Sequence, residues 1–178
     1  MEGSQVSSRD AILGALGDTR LAAAPTAPGG PVFRGLLEDT FVAVGGDLLT
    51  PGDLAALHGK TAVAEAGVPA SVLEGFKLVE DVWTADVGIS IAVAAIAETG
   101  SVVMAAGPGK PRLASLAPPH NIVVVRRSTI VPTLEAAFAN LPKETTAIIT
   151  GPSRTADIEG TLVRGIHGPK RLSLLLID

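Results

Sequence analysis

Hydrophobic positions along the chain switch between helical spacing and short, nearly unbroken runs. Phe33, Leu36, Leu37, Phe41 and Val44 recur every three to four residues and predict a helix that Gly45-Gly46 ends. Thr50-Pro51-Gly52-Asp53 has the form of a helix start, with a capping hydroxyl, a proline in the first turn and an early carboxylate. Leu54 and Leu57 form its apolar side. Apolar runs predict strands over residues 61–64, 76–79, 102–106, 122–125, 147–150 and 172–177. Several are apolar at nearly every position, as strands buried on both faces require. Residues 89–97 and 132–141 read as helices, the second with Val131, Leu134, Phe138 and Leu141 on one side. Strands alternating with helices imply an α/β domain, a mainly parallel sheet flanked by helices. Ligands of such sheets bind outside the carboxyl ends of the strands, which directs attention to the loops after Ala106, Val125 and Thr150.

Ahead of this region, Ser8 can cap a short helix through Ile12, Leu13 and Leu16, and residues 22–31 are rich in Ala, Pro and Gly. Residues 1–31 therefore read as a helical arm and linker, and residues 32–178 as one domain. The 178 residues are 47 % apolar, chiefly Ala, Val, Leu and Ile, enough for a sizeable core. Lys and Arg number 14 against 18 Asp and Glu, a net charge of -4 with no basic block. That balance opposes nucleic acid or a membrane surface as partner. The absence of cysteine excludes disulfides, thiolate nucleophiles and Cys-held zinc or iron–sulfur clusters from this stretch of chain. The first residues lack a secretory pattern, and no apolar run approaches the roughly 20 residues that span a bilayer, so a cytoplasmic protein without membrane insertion is expected.

Three stretches could carry chemistry. Gly151-Pro152-Ser153-Arg154-Thr155-Ala156-Asp157-Ile158-Glu159 leaves a strand, and Gly165-Ile166-His167-Gly168-Pro169 follows it. A Gly-Pro turn followed by Ser and Thr can aim backbone N–H groups at an anion, with hydroxyls from Ser153 and Thr155 and charge from Arg154. The alternative is an ordinary helix cap with Asp157 in its first turn. In Glu98-Thr99-Gly100-Ser101, a buried Glu98 could act as a base or nucleophile, or could simply end a helix beside a glycine cap. Gly107-Pro108-Gly109-Lys110-Pro111-Arg112 departs from the phosphate-loop order at Pro111, yet Lys110 and Arg112 could reach an anion. Of the histidines, His58 looks incidental, whereas His120 and His167 could donate to a bound anion. No metal-ligand spacing occurs, so no metal is assigned. There is no G-x-G-x-x-G, and Gly88-Ile89-Ser90-Ile91-Ala92 misses the nucleophile elbow at its last position.

Ala85-Asp86-Val87-Gly88-Ile89-Ser90, Ala95-Ile96-Ala97-Glu98-Thr99-Gly100-Ser101, the run from Arg112 to His120, and Thr150 to Pro169 together resemble the LUD domain of the lactate-utilisation protein C family. The resemblance extends from about Val32 onward. Its most specific part is T-G-P-S-R-T-A-D-I-E followed by G-I-H-G-P. It implies a Rossmann-like three-layer fold of the glucosamine-phosphate deaminase, ribose-phosphate isomerase and CoA-transferase type. It also implies a non-redox role in oxidation of L-lactate to pyruvate, beside two iron–sulfur partner proteins that would hold the clusters. The chain has no cofactor of its own in this reading, looks trimmed between the first helix and Asp86, and leaves a homo-oligomer open. An independent CoA-transferase-like or sugar-phosphate enzyme using Glu98, or a ligand-binding module without turnover, are the alternatives. Any of these needs Glu98, His120 and the turn from Ser153 to Asp157 around one pocket, with Thr99, Gly100, Ser101, Arg112, Gly151, Arg154, Thr155 and His167 as ligand contacts.

Overall fold

The computed structural model describes residues 33–142, 145–156 and 162–178. The predicted N-terminal arm and Asp157 lie outside them. Helix α1 (Arg34–Ala43) buries Leu37 and Phe41, one turn apart on one side. After β1 (Asp47–Leu48), α2 (Pro51–Ala55) begins with the predicted cap. Thr50 Oγ1 accepts from the Asp53 N–H, and Asp53 Oδ2 accepts from the Thr50 N–H at 2.9 Å, a reciprocal capping box.

Strands β2 (Thr61–Ala64), β3 (Lys77–Leu78), β4 (Val87–Ile91), β7 (His120–Arg126) and β12 (Arg171–Ile177) join β1 in a six-stranded sheet of order β1-β12-β7-β4-β2-β3. Every pairing in it is parallel. Alternate residues serve opposite faces. Ala62, Val87, Ile89, Ile122, Val124 and Leu175 pack with Leu54 of α2 and Val72 of α3 (Ala70–Leu73). Val123, Val125, Leu172 and Leu174 pack on the other side with Leu37 and Phe41 of α1. Both faces are covered, which is why these strands carry so few polar residues.

The second face also meets a smaller sheet that the sequence reading did not separate from the first. Strands β5 (Ala94–Ile96), β6 (Ser101–Ala106), β8 (Ile130–Val131) and β9 (Thr145–Thr150) form it in the order β8-β5-β6-β9. Here β6 runs antiparallel to both β5 and β9. Ala95, Val102 and Met104 of this sheet enter the same core as Leu37 and Val123. On its other face, Ile96 and Val103 pack with Ala137 of α5 (Leu134–Phe138). The helix expected over residues 89–97 is therefore two strands, the end of β4 and all of β5. A run whose one polar residue is the small, buried Ser90 has no clear period to distinguish strand from helix, and its β-branched Ile89, Ile91, Val93 and Ile96 favour extended chain.

Helix α4 (Arg112–Leu116) lies directly on β4. A β-carbon placed on Gly88 would come within 2.0 Å of the Ala114 carbonyl oxygen, so only glycine permits this approach. Finally, β10 (Arg154–Thr155) and β11 (Val163–Arg164) form a small antiparallel pair.

Candidate functional site

In the parallel sheet, β3 lies on one side of β2 and β4 on the other, so the chain reverses its direction of winding at β2. The crevice at the carboxyl ends of β2 and β4 is the topological switch point, where α/β sheets offer a ligand site. Glu65, the residue after β2, occupies it. Its N–H donates to the Ile89 carbonyl at 2.9 Å, and its Oε2 accepts from the Ile91 N–H at 3.2 Å. Glu65 is only 4 % exposed. Burial pushes its carboxyl up to about 6, against the Ile91 hydrogen bond and the positive charge of Lys110. The turn that carries Lys110 is fastened here, because the Ala66 N–H donates to the Gly109 carbonyl at 2.8 Å.

Glu65 lines a cleft of about 190 Å³ with Arg112, Ser115, Met104, Thr146 and Ile149. One wall is α4 and the other is β9, an edge strand paired only with β6. The cleft runs on into a second groove, since Ser115, Leu116, Ile148 and Ile149 line both. In that groove lie Gly151, Ser153, Arg154 and His167, four of the residues singled out in the sequence. The Ser153 N–H donates to the Pro169 carbonyl at 3.1 Å, and the Gly165 N–H donates to the Ser153 carbonyl at 3.0 Å, so the two glycine-rich segments hold each other. Gly151 has φ +71° and presses against the Val44 carbonyl, which also accepts a hydrogen bond from the Arg154 guanidinium. Arg154 thus caps the C-terminus of α1. Thr155 sits in β10 opposite Val163.

This groove lies toward the amino end of the parallel sheet, close to the start of β12. That corrects the expectation drawn from the strand-end rule. Strands β6 and β9 belong to the antiparallel sheet, so the loops after Ala106 and Thr150 leave it at opposite ends. Of the three loops expected at the carboxyl ends of the parallel sheet, only the one after Val125 leaves that sheet.

The remaining candidates have structural partners. Ser101 Oγ lies 2.7 Å from Thr150 Oγ1 and 2.8 Å from Thr99 Oγ1, a chain of hydroxyls that ends at the groove wall. Gly100, at φ +63°, rests on the backbone of Thr40 and Phe41. Glu98 is exposed, and its Oε1 accepts from the Leu134 N–H at 2.7 Å in the first turn of α5. His120 begins β7, and its Nε2 lies 2.8 Å from Ser173 Oγ. Burial, then the positive charge of Arg171, push this imidazole down to about 4 against the opposing charge of Asp47, so it is neutral at pH 7. Ser90, from the near-elbow sequence, donates to Asn121 Oδ1 at 2.9 Å inside the core. Neither Glu98 nor His120 lines the cleft or the groove. The single pocket expected around Glu98, His120 and Ser153 is replaced by a trench that joins Arg112 to Ser153, Arg154 and His167.

Glu65 was missed in the sequence. Its signal was slight: a lone carboxylate directly after an apolar strand, in Ala64-Glu65-Ala66-Gly67. Among the described residues no group of three or more His, Asp or Glu could hold a metal ion, and no helix is long and apolar enough to cross a membrane.

Residues 45–177 match the family model of the LUD domain. The chain is 40 % identical over 114 residues to lactate utilization protein C of Halalkalibacterium halodurans, covering 59 % of this chain and 50 % of that protein. It is 42 % identical over 103 residues to the protein of the same name from Macrococcus caseolyticus, covering 53 % of this chain and 45 % of that one. The chain thus spans about half the length of the curated relatives it matches. A crystal structure of a DUF162 family protein from Deinococcus radiodurans shares the fold, with a TM-score of 0.60 at 24 % identity over 83 % of this chain and 97 % of that one. With three quarters of its length inside the family model, the chain belongs to the LUD domain family.

Proposed function

We propose that this chain serves lactate utilisation as a non-redox component, holding a small anion in the groove of Gly151, Ser153, Arg154 and His167 beside two iron–sulfur partner proteins. The observation that carries the reading is the 40 % identity to proteins named lactate utilization protein C. The groove supports it. Two glycine-rich segments, tied together by backbone hydrogen bonds, bring a hydroxyl, a guanidinium and an imidazole to one surface. Such donors suit a carboxylate or phosphate. Electron transfer falls to the partners, because a chain without cysteine has no thiolate to hold an iron–sulfur cluster.

The test is reconstitution with the two candidate iron–sulfur proteins, following conversion of L-lactate to pyruvate with and without this chain. Omission of the chain is expected to reduce the rate severely, and Ser153→Ala with His167→Ala to reduce it partly. An unchanged rate without the chain ends the proposal.

A further inference from the structure

The trench follows one strand for its whole length. Thr145 to Ile149 line the cleft and Ile148 to Thr150 line the groove, so all of β9 borders it. This strand is also an outer one, and it differs from the others. The remaining sheet edges, β1, β3 and β8, have two residues each, and Asp47 and Lys77 put charge on two of them. Short and charged edges are how folded proteins keep foreign strands from adding. By contrast β9 has six residues, Thr145-Thr146-Ala147-Ile148-Ile149-Thr150, with neither charge nor proline. Among the described residues its backbone pairs with β6 alone, so its outer row of N–H and C=O groups has no protein partner.

We propose that this trench receives an extended acidic peptide segment of a partner protein, which adds to β9 as a further strand. Strand addition needs a long free edge for backbone hydrogen bonds, and β9 supplies it. Helix α4 forms the far bank through Arg112, Ser115 and Leu116. A bank on that side suits a single chain laid between helix and strand, and obstructs the edge of a second folded sheet. The charges point to an acidic occupant. Exposed Arg112 stands in the cleft, and exposed Arg154 with His167 stands in the groove. The one carboxylate of the trench, Glu65, is only 4 % exposed. A segment with carboxylates toward both ends of an uncharged, β-prone stretch complements this distribution.

This inference goes beyond the functional reading, from which it takes only the anion-binding character of the groove. It is tested on the full chain alone, so loss of lactate oxidation in reconstitution and loss of peptide binding are separate results. The probe is a synthetic peptide of about eight residues, valine and threonine alternating between glutamates at both ends. Its binding is followed by fluorescence anisotropy at pH 7, and amide hydrogen exchange of the complex by mass spectrometry. The peptide is expected to slow exchange across Thr145–Thr150 and to bind at least about tenfold more tightly than a version ending in lysines. A version N-methylated along its central backbone cannot pair as a strand and should not bind. Arg112→Glu, at an exposed position, should weaken the acidic peptide by about fivefold and strengthen the lysine version. No binding of the acidic peptide, undiminished binding of the N-methylated one, equal binding of the lysine version, or an unaffected Arg112→Glu would each overturn the proposal. So would protection confined to other segments. Dimerisation of the free chain that itself protects Thr145–Thr150 would also overturn it, and would give the edge to a second copy.

Discussion

The parallel sheet buries one titratable side chain near each end, and the two are treated differently. His120 stands at the amino end of β7, sealed against β12, with Nε2 beside the Ser173 hydroxyl. Glu65 stands at the carboxyl end of β2, beside a cleft, with one backbone donor. His120 belongs to the packing of the sheet, whereas Glu65 borders space that a ligand can fill. Burial alone does not distinguish a structural group from a functional one. What stands next to the group does.

The sharpest way to break this comparison is acid. His120 prefers its neutral form in the fold, so protonation favours the unfolded chain. The stability it supports is present above the ordinary histidine value of 6.5 and is lost as pH falls toward 4. The loss should reach about 3 kcal/mol, read from urea unfolding midpoints across this range, and His120→Gln should abolish it. Glu65 works in the opposite sense. Its raised value means that the folded chain holds the proton more tightly, so stability present below 4.5 is lost as pH rises through about 6. Glu65→Gln should therefore be more stable than the wild type by about 2 kcal/mol at pH 8, with the advantage vanishing at pH 4. A pH-independent difference would place Glu65 outside the titrating group.

Smaller changes sharpen the same contrast. Ser173→Ala leaves the His120 ring nitrogen without its partner in the core and should cost about 1.5 kcal/mol in thermal or urea unfolding. Glu98→Ala removes the carboxylate that accepts from the Leu134 N–H and should cost about 1 kcal/mol, while Glu98→Gln, which keeps an acceptor, should cost less. Loss of ligand binding in Glu98→Gln at unchanged stability would return that residue to the site.

The fold was legible where the sequence has local reasons for its form. The predicted strands over residues 61–64, 102–106, 122–125 and 172–177 are present because continuous apolar runs suit a sheet covered on both faces. The cap at Thr50 was written into four adjacent residues. Sorting strands between two sheets was not legible. The pairing of β6 with β9 joins residues about forty to fifty positions apart, from Ala106 with Thr145 to Ser101 with Thr150, and leaves no local mark. For the site, the meeting of Gly151 to Arg154 with His167 followed from turn chemistry in two glycine-rich segments. Glu65 did not, because a carboxylate after a strand becomes distinctive only when the winding order puts it at the switch point. His120 illustrates the converse: a polar residue entering an apolar strand reads as a candidate donor in the sequence, and only the register of β7 with β12 puts Ser173 beside it.

Gly88 has a consequence for how the trench can change over time. With the Ala114 carbonyl resting on a bare α-carbon, the height of α4 above the sheet is set by contact rather than by adjustable side chains. A methyl group there would lift Arg112, Ser115 and Leu116 as a unit and alter both ends of the trench at once. Variation that retunes one compartment without the other must therefore come from the opposite bank, where the outermost strand from Thr145 to Thr150 can exchange side chains one by one.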